Sequence, residues 1–202
     1  MSFRSWAIWA PIVVAAGVAG AWLAHALREP PVLVAGTWLE PPHELAGFAL
    51  TDDHGRDFGL TQLRGAPVLM FFGFTNCPDV CPATLATLAD VLRRKPVPGL
   101  RVILVTVDPE RDSPLALNRY LKAFGQDFIG LTGAAPALAP LHRELHVASE
   151  PERLPDGSYT MNHSTAVYLI DGRGRFVAVF TPPFTSAQLA GDLASLRTRI
   201  GA

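Results

Sequence analysis

PVLMFFGFTNCPDVCP, residues 67–82, holds both the strand that decides the fold and the cysteine pair that decides the chemistry. From Pro67 to Thr75 the run is apolar without alternation. That pattern reads as a strand buried on both faces, as in a parallel or mixed sheet. Pro82 lacks an N–H and suits the first position of a helix. The spacing of Leu85, Leu88 and Leu92 predicts a helix from Pro82 to about Arg94, with Cys81 at or next to its N-cap. LRVILVTV, residues 100–107, is a second run of the same buried kind and completes a strand–helix–strand unit.

Towards the C-terminus the alternation continues. Helices are predicted over 115–124 and 136–145, with a short strand over 128–131 between them. Strands over 165–170 and 176–180 are joined by Asp171-Gly172-Arg173-Gly174, a hairpin signal, and a helix over 188–200 closes the chain. A β-α-β unit, then a late hairpin and a last helix, is the thioredoxin order, so the predicted fold is α/β and thioredoxin-like. Towards the N-terminus, Phe48–Leu50 and Asp57–Leu60 flank the turn Asp53-His54-Gly55. Glu29-Pro30-Pro31 and Glu40-Pro41-Pro42 predict a Pro-rich linker over 29–44, with the globular domain over 45–202.

Residues 1–28 form a separate object. Trp6 to Leu27 contain no Asp, Glu, Lys or Arg, and a bilayer-spanning helix needs roughly 20 such residues. Trp6, Trp9 and Trp22 suit interfacial depths. The expectation is a single-pass transmembrane helix with the N-terminus cytoplasmic, since Arg4 and the amino group precede the run while Arg28 and Glu29 cancel after it. The soluble domain would then lie outside the cytoplasm, on the periplasmic side in a bacterium. A cleaved signal peptide is the alternative, with Ala24-His25-Ala26 as its small-x-small site. Hydrophobic residues at 49% are enough for a core, and a net charge of −1 leaves no basic surface to select nucleic acid.

The chain has only 2 cysteines, Cys77 and Cys81, which excludes a multi-bridge framework. Placed where a strand ends and a helix begins, both sulfurs would meet the positive end of the helix dipole, which favours thiolate. Thioredoxin-type redox centres use Cys-x-x-Cys, and this loop is one residue longer. Two thiolates suit Cu(I) or a partial Zn(II) site. The same spacing also permits a small disulfide that ties the loop. Of 6 histidines, His142 and His146 share a helical spacing that reads as an exposed face. His163, in the polar loop YTMNHS leading into a buried strand, lies where a thioredoxin-like fold brings the chain beside the Cys loop. It is the expected third ligand.

Taken together, these segments resemble the SCO/SenC family of cytochrome oxidase assembly factors over about residues 48–200. The resemblance is carried by Phe48-x-Leu50 with Gly55, FFGFTNCPDVCP at 71–82, VTVDPERDSP at 105–114, and YTMNHS at 159–164 followed by AVYLID. It implies a thioredoxin-like fold and a copper site of Cys77, Cys81 and His163; this donor set suits Cu(I) and also Cu(II). The implied role is a metallochaperone for the binuclear copper centre of cytochrome c oxidase. Its implied partner is the subunit bearing that centre; the oxidising extracytoplasmic setting adds the expectation of a thiol reductant that keeps the cysteines competent. The alternative is a membrane-anchored thiol–disulfide oxidoreductase that uses Cys77 and Cys81 to reduce the cysteines of a partner copper site. The family commonly carries Val-Asp before the histidine. Met161-Asn162 stands there instead, which removes a carboxylate expected to orient the imidazole. The charged loop of Asp108, Glu110, Arg111 and Asp112 is expected at the same edge, as a solvated turn capping the helix after Asp112 or Ser113, with partner docking as the alternative.

Overall fold

The computed structural model describes residues 13–17, 20 and 30–201. It divides into two units, Met1–Pro31 and Val32–Ala202. In the first unit residues 13–17 and 20 are helical, and the rest of the Trp6–Leu27 run lies outside the described residues. Among the described residues no helix is long and apolar enough to cross a membrane.

The second unit runs β1 (Gly36–Glu44), β2 (Ala49–Asp52), β3 (Asp57–Gly59), α1 (Leu60–Leu63), β4 (Val68–Gly73), α2 (Val80–Arg93), β5 (Arg101–Thr106) and α3 (Pro114–Leu121). It continues with β6 (Phe128–Thr132), α4 (Ala135–Glu144), β7 (Ser149–Arg153), β8 (Tyr159–His163), β9 (Val167–Ile170), β10 (Arg175–Phe180) and α5 (Ser186–Ile200). One sheet has the order β1-β10-β9-β4-β5-β6-β2-β3, and β7 pairs with β8 in a separate two-stranded sheet.

At the centre β4, β5 and β6 are parallel, while β9 runs antiparallel to β4 and β10 antiparallel to β9. Every position of β4 and β9 is buried, which is why their sequences show no alternation. With α5 closing the chain, this is the thioredoxin-like order. Two hairpins use one device. Asp52 accepts from the amides of His54 and Arg56 and from the Arg56 guanidinium, and Asp171 accepts likewise from Arg173 and Arg175. Each loop turns through a glycine at positive φ, Gly55 at 79° and Gly174 at 84°.

Three local expectations are corrected. Residues 36–44, read as part of the linker, are an edge strand paired with β10. Its register shifts between Trp38 and His43, so Pro41 and Pro42 occupy an irregularity at an edge, where a missing N–H costs no ladder bond. The segment before it is tied by the buried Asp192, which accepts from the Val34 and Ala35 amides at 2.9 and 2.7 Å. Residues 159–163, read as a polar loop, are β8, paired with β7 from Ser149↔His163 to Arg153↔Tyr159. Helix α2 starts at Val80 with Asp79 as N-cap, so Cys81 lies inside the first turn. Pro82 is tolerated there because the first four N–H groups of a helix have no intrahelical partner.

Candidate metal centre

The centre forms beyond the carboxyl end of β4, where sheet strands deliver loops to one edge. After Gly73 and the buried Phe74 the chain turns, with the Cys77 amide donating to the Phe74 carbonyl at 3.4 Å. Cys77 is half-buried, and Cys81 is fully buried. The Cys81 amide, in the first turn of α2, donates to Cys77 Sγ at 3.4 Å. A helix N-terminus thus faces the more accessible sulfur. Gly73 leaves room for the other: a Cβ there would lie 3.0 Å from Cys81 Sγ.

His163 comes from the far side, at the end of β8. Its Nε2 lies 3.4 Å from Cys81 Sγ, and its Nδ1 lies 3.0 Å from the Ser164 carbonyl oxygen. A carbonyl can only accept, so this contact assigns the proton to Nδ1 and turns the Nε2 lone pair towards the sulfurs. The ring is edge-on to Phe71 and Phe74, with centroids 6.1 and 5.8 Å away. The ligand atoms of Cys77, Cys81 and His163 all lie within 4.8 Å of one another. Two soft sulfurs and one imidazole form a donor set suited to copper or zinc.

Burial pushes the Cys81 thiol up; the hydrogen bond with the Phe74 backbone opposes this, and the neighbouring Cys77 side chain and the Asp112 charge add to it. The helix start therefore does not make Cys81 a thiolate by itself, contrary to expectation. A bound cation would supply what the dipole does not, since a coordinating thiol is deprotonated outright.

The loop after β5 is more than a solvated cap. Ser113 does cap α3, accepting from the Ala116 amide at 3.2 Å. Asp108 and Asp112, however, are 3% and 0% exposed. Asp112 accepts from the Thr75 amide at 3.1 Å and from the Thr75 and Thr106 hydroxyls at 2.6 Å each, which pins the start of the Cys loop. Burial raises its pKa, against the lowering by these hydrogen bonds. Asp108 accepts from Tyr159 Oη at 2.9 Å and from Arg111 Nε.

Sequence reasoning placed Asp112 in a charged turn at this edge and Tyr159 and Ser164 in the motif around His163, but gave none of the three its role. Only the position of VTVDPERD at the end of the neighbouring parallel strand could have pointed to the first. His142 and His146 join no group of three ligand atoms among the described residues. The His142 ring lies edge-on to Phe72 with a buried Nε2, while His146 follows the helix at φ 52° and is exposed. His43 and His54 are exposed, and His25 lies outside the described residues.

The sequence profile of the SCO1/SenC family matches residues 38–198. The chain belongs to the SCO1/SenC family. It is similar to the human mitochondrial SCO2 homologue, 36% identical over 188 residues that span 88% of this chain and 70% of that protein. A SCO2-like protein of Rickettsia conorii is 34% identical over 171 residues, 81% of this chain and 83% of the relative. Among solved structures, Bradyrhizobium japonicum ScoI with copper bound superposes with a TM-score of 0.68 at 36% identity, covering 78% of this chain and 99% of that one. Against the SCO1/SenC pattern, the departure at Met161-Asn162 leaves the imidazole oriented. The Ser164 carbonyl engages Nδ1, while Asn162 is exposed and donates across the hairpin to Glu152 at 2.9 Å.

Proposed function

We propose that this SCO1/SenC protein is a copper metallochaperone that binds copper through Cys77, Cys81 and His163 and assists assembly of the binuclear copper centre of cytochrome c oxidase. The observation that carries the reading is the convergence of two sulfurs and a pre-oriented Nε2 within 4.8 Å. The copper-bound state of a solved relative supports the choice of metal.

Copper is the cargo, and a d¹⁰ Cu(I) ion suits two thiolates and an imidazole, which also accept Cu(II). Cys77, the less buried sulfur, meets an incoming donor or acceptor first. Cys81 gives up its proton as the metal enters, so uptake releases protons. The Nδ1 contact with the Ser164 carbonyl leaves Nε2 of His163 as the ring nitrogen that faces the metal. Release proceeds by ligand exchange at the accessible side, to the copper-centre subunit of the oxidase. A thiol reductant keeps the pair open in an oxidising compartment. The uncharged run Trp6–Leu27 is the proposed single-pass anchor, with the N-terminus cytoplasmic and the soluble domain extracytoplasmic.

A second reading is favoured by one contact. The Cys81 amide on Cys77 Sγ would stabilise an attacking thiolate, with Cys81 behind it as the resolving sulfur. In that case the chain is a membrane-anchored thiol–disulfide oxidoreductase that reduces a partner's copper-site cysteines. Anaerobic Cu(I) titration of the reduced protein against a competing chelator separates the two. The chaperone reading expects one equivalent bound, with affinity reduced at least about 10-fold in His163→Ala. Unchanged affinity in that variant, together with rapid disulfide exchange, would overturn it.

A further inference from the structure

The two halves of the site arrive on separate pieces of chain, and one turn grips both. Cys77 and Cys81 belong to the loop and helix after β4. His163 belongs to the β7–β8 hairpin, which is outside the eight-stranded sheet. Near its His163 end the hairpin is held by its own continuation into β9 and by the Ser164–Ala148 bonds. Four residues back along β8, about 13 Å at strand rise, it is held by Tyr159.

The Tyr159 contacts are specific. Arg111 Nη1 donates to the Tyr159 carbonyl at 3.0 Å, and the guanidinium lies 3.8 Å from the Tyr159 ring centroid. Tyr159 Oη donates to Asp108 at 2.9 Å, and Arg111 Nε donates to the same carboxylate. The Arg111 guanidinium also stands 5.8 Å from the ring of Phe74, which is edge-on to His163. One residue further on, Asp112 holds Thr75 at the root of the Cys loop. Beyond the hairpin's own bonds and those at its junctions, the hydrogen bonds from β7–β8 to the body are, among the described residues, those of Tyr159 and the His163–Cys81 contact.

We infer that Arg111, clamped between Asp108 and Tyr159, is a positioning residue that latches the β7–β8 hairpin to the Cys loop and so holds His163 against the two sulfurs. Breaking the latch frees the imidazole while leaving the thiol pair in place, since Asp112 still binds Thr75. The inference rests on the reading of Cys77, Cys81 and His163 as copper ligands, and it deepens that reading by naming what seats the third one.

The test is a double-mutant cycle on the full, reduced chain, with anaerobic Cu(I) affinity measured against a competing chelator for wild type, Arg111→Gln, His163→Ala and the double variant. Arg111→Gln is expected to weaken binding about 10-fold where His163 is present. In the His163→Ala background it is expected to change binding less than about 2-fold, because the group it positions is gone. Tyr159→Phe, which deletes one hydroxyl and keeps the stacked ring, should follow the same pattern with a smaller loss. An equal loss in both backgrounds, or none in either, overturns the latch. A second arm needs no metal. Amide exchange across residues 159–163 should quicken in Arg111→Gln while β4 and β5 stay protected, and unchanged exchange there also overturns it. A wild-type chain without a stoichiometric Cu(I) site would instead refute the copper reading, leaving the exchange arm to judge the latch alone.

Discussion

Asp112 is the buried polar group on which the Cys loop hangs, and its removal has a calculable consequence. Its carboxylate accepts the Thr75 amide and two hydroxyls, one from Thr75 and one from Thr106, at 3.1, 2.6 and 2.6 Å. Hydrogen bonds to a charged group contribute about 1.5–3 kcal/mol each, so three set a ceiling of about 4.5–9 kcal/mol. Two effects lower the net figure. The carboxylate is fully buried and so desolvated, which raises its pKa, and deleting it recovers that penalty. Thr106 Oγ1 also keeps its bond from the Asp108 amide at 2.9 Å. The Thr75 amide has no such freedom and stays unpaired. Asp112→Ala is therefore expected to destabilise by about 3–4 kcal/mol, and Asp112→Asn, which keeps one acceptor and the shape, by about 1–2 kcal/mol. The assay is urea unfolding of the reduced, chelator-treated protein followed by circular dichroism. With a slope of about 2 kcal/mol/M, the alanine variant's midpoint falls by about 1.5–2 M. An alanine variant within about 0.5 kcal/mol of wild type, or an asparagine variant as unstable as alanine, would refute the idea that these bonds hold the loop.

Three further outcomes follow from other residues. Burial depresses the pKa of His142, so its neutral form is favoured in the folded state; its contribution is present above the unfolded value of 6.5 and is lost as pH falls through the lower folded value. His142→Phe, which keeps an aromatic ring beside Phe72, should gain stability relative to wild type as pH drops below 6.5 in denaturation series, and a pH-independent difference would contradict this. Gly73→Ala brings a Cβ to 3.0 Å from both Cys81 Sγ and the Phe71 ring, so it should cost about 1–3 kcal/mol by the same unfolding assay and displace the sulfur. Asp171→Ala strips a fully buried carboxylate from two amides and the Arg175 guanidinium, for an expected loss of about 3–5 kcal/mol in thermal or urea unfolding, and a loss below about 1 kcal/mol would contradict it.

What could be read from the chain and what could not divide along physical lines. The central strands were legible because burial on both faces leaves an uninterrupted apolar run, and Pro67–Thr75 has no other economical explanation. The Cys pair was legible because Pro82 marks the first turn of a helix, although that helix starts two residues earlier, at Val80. β1 and β8 were not, for two reasons. Pro41 and Pro42 are forbidden in a central strand yet harmless at an irregular edge, and edge status is a property of the sheet and not of the segment. β8 alternates weakly and, among the described residues, pairs only with β7, whose Pro151 gives no strand signal. Asp112 was hidden for a third reason. A charged residue in a polar stretch looks solvated until the fold puts Thr75 and Thr106 around it.

The geometry also bears on why one pair of sulfurs serves two proposed chemistries. Cys77 and Cys81 are fixed to the first turn of α2 and to the loop pinned by Asp112, so their separation is set by the body of the domain. His163 is set by a hairpin whose hold on that body is a latch of side chains, the packing of Met161 on the core, and a junction. A carrier must bind tightly in transit and release to an acceptor, and a ligand mounted on a separately anchored element can withdraw without unfolding the core. With the imidazole seated, the sulfurs have a third donor and act as a metal site. With it withdrawn, what remains is a helix N-terminus facing Cys77 and a buried sulfur behind it, the arrangement of an exchange pair. On the proposed reading, the Arg111–Asp108–Tyr159 latch seats the imidazole that makes the pair a metal site, and the double-mutant cycle measures its coupling to His163.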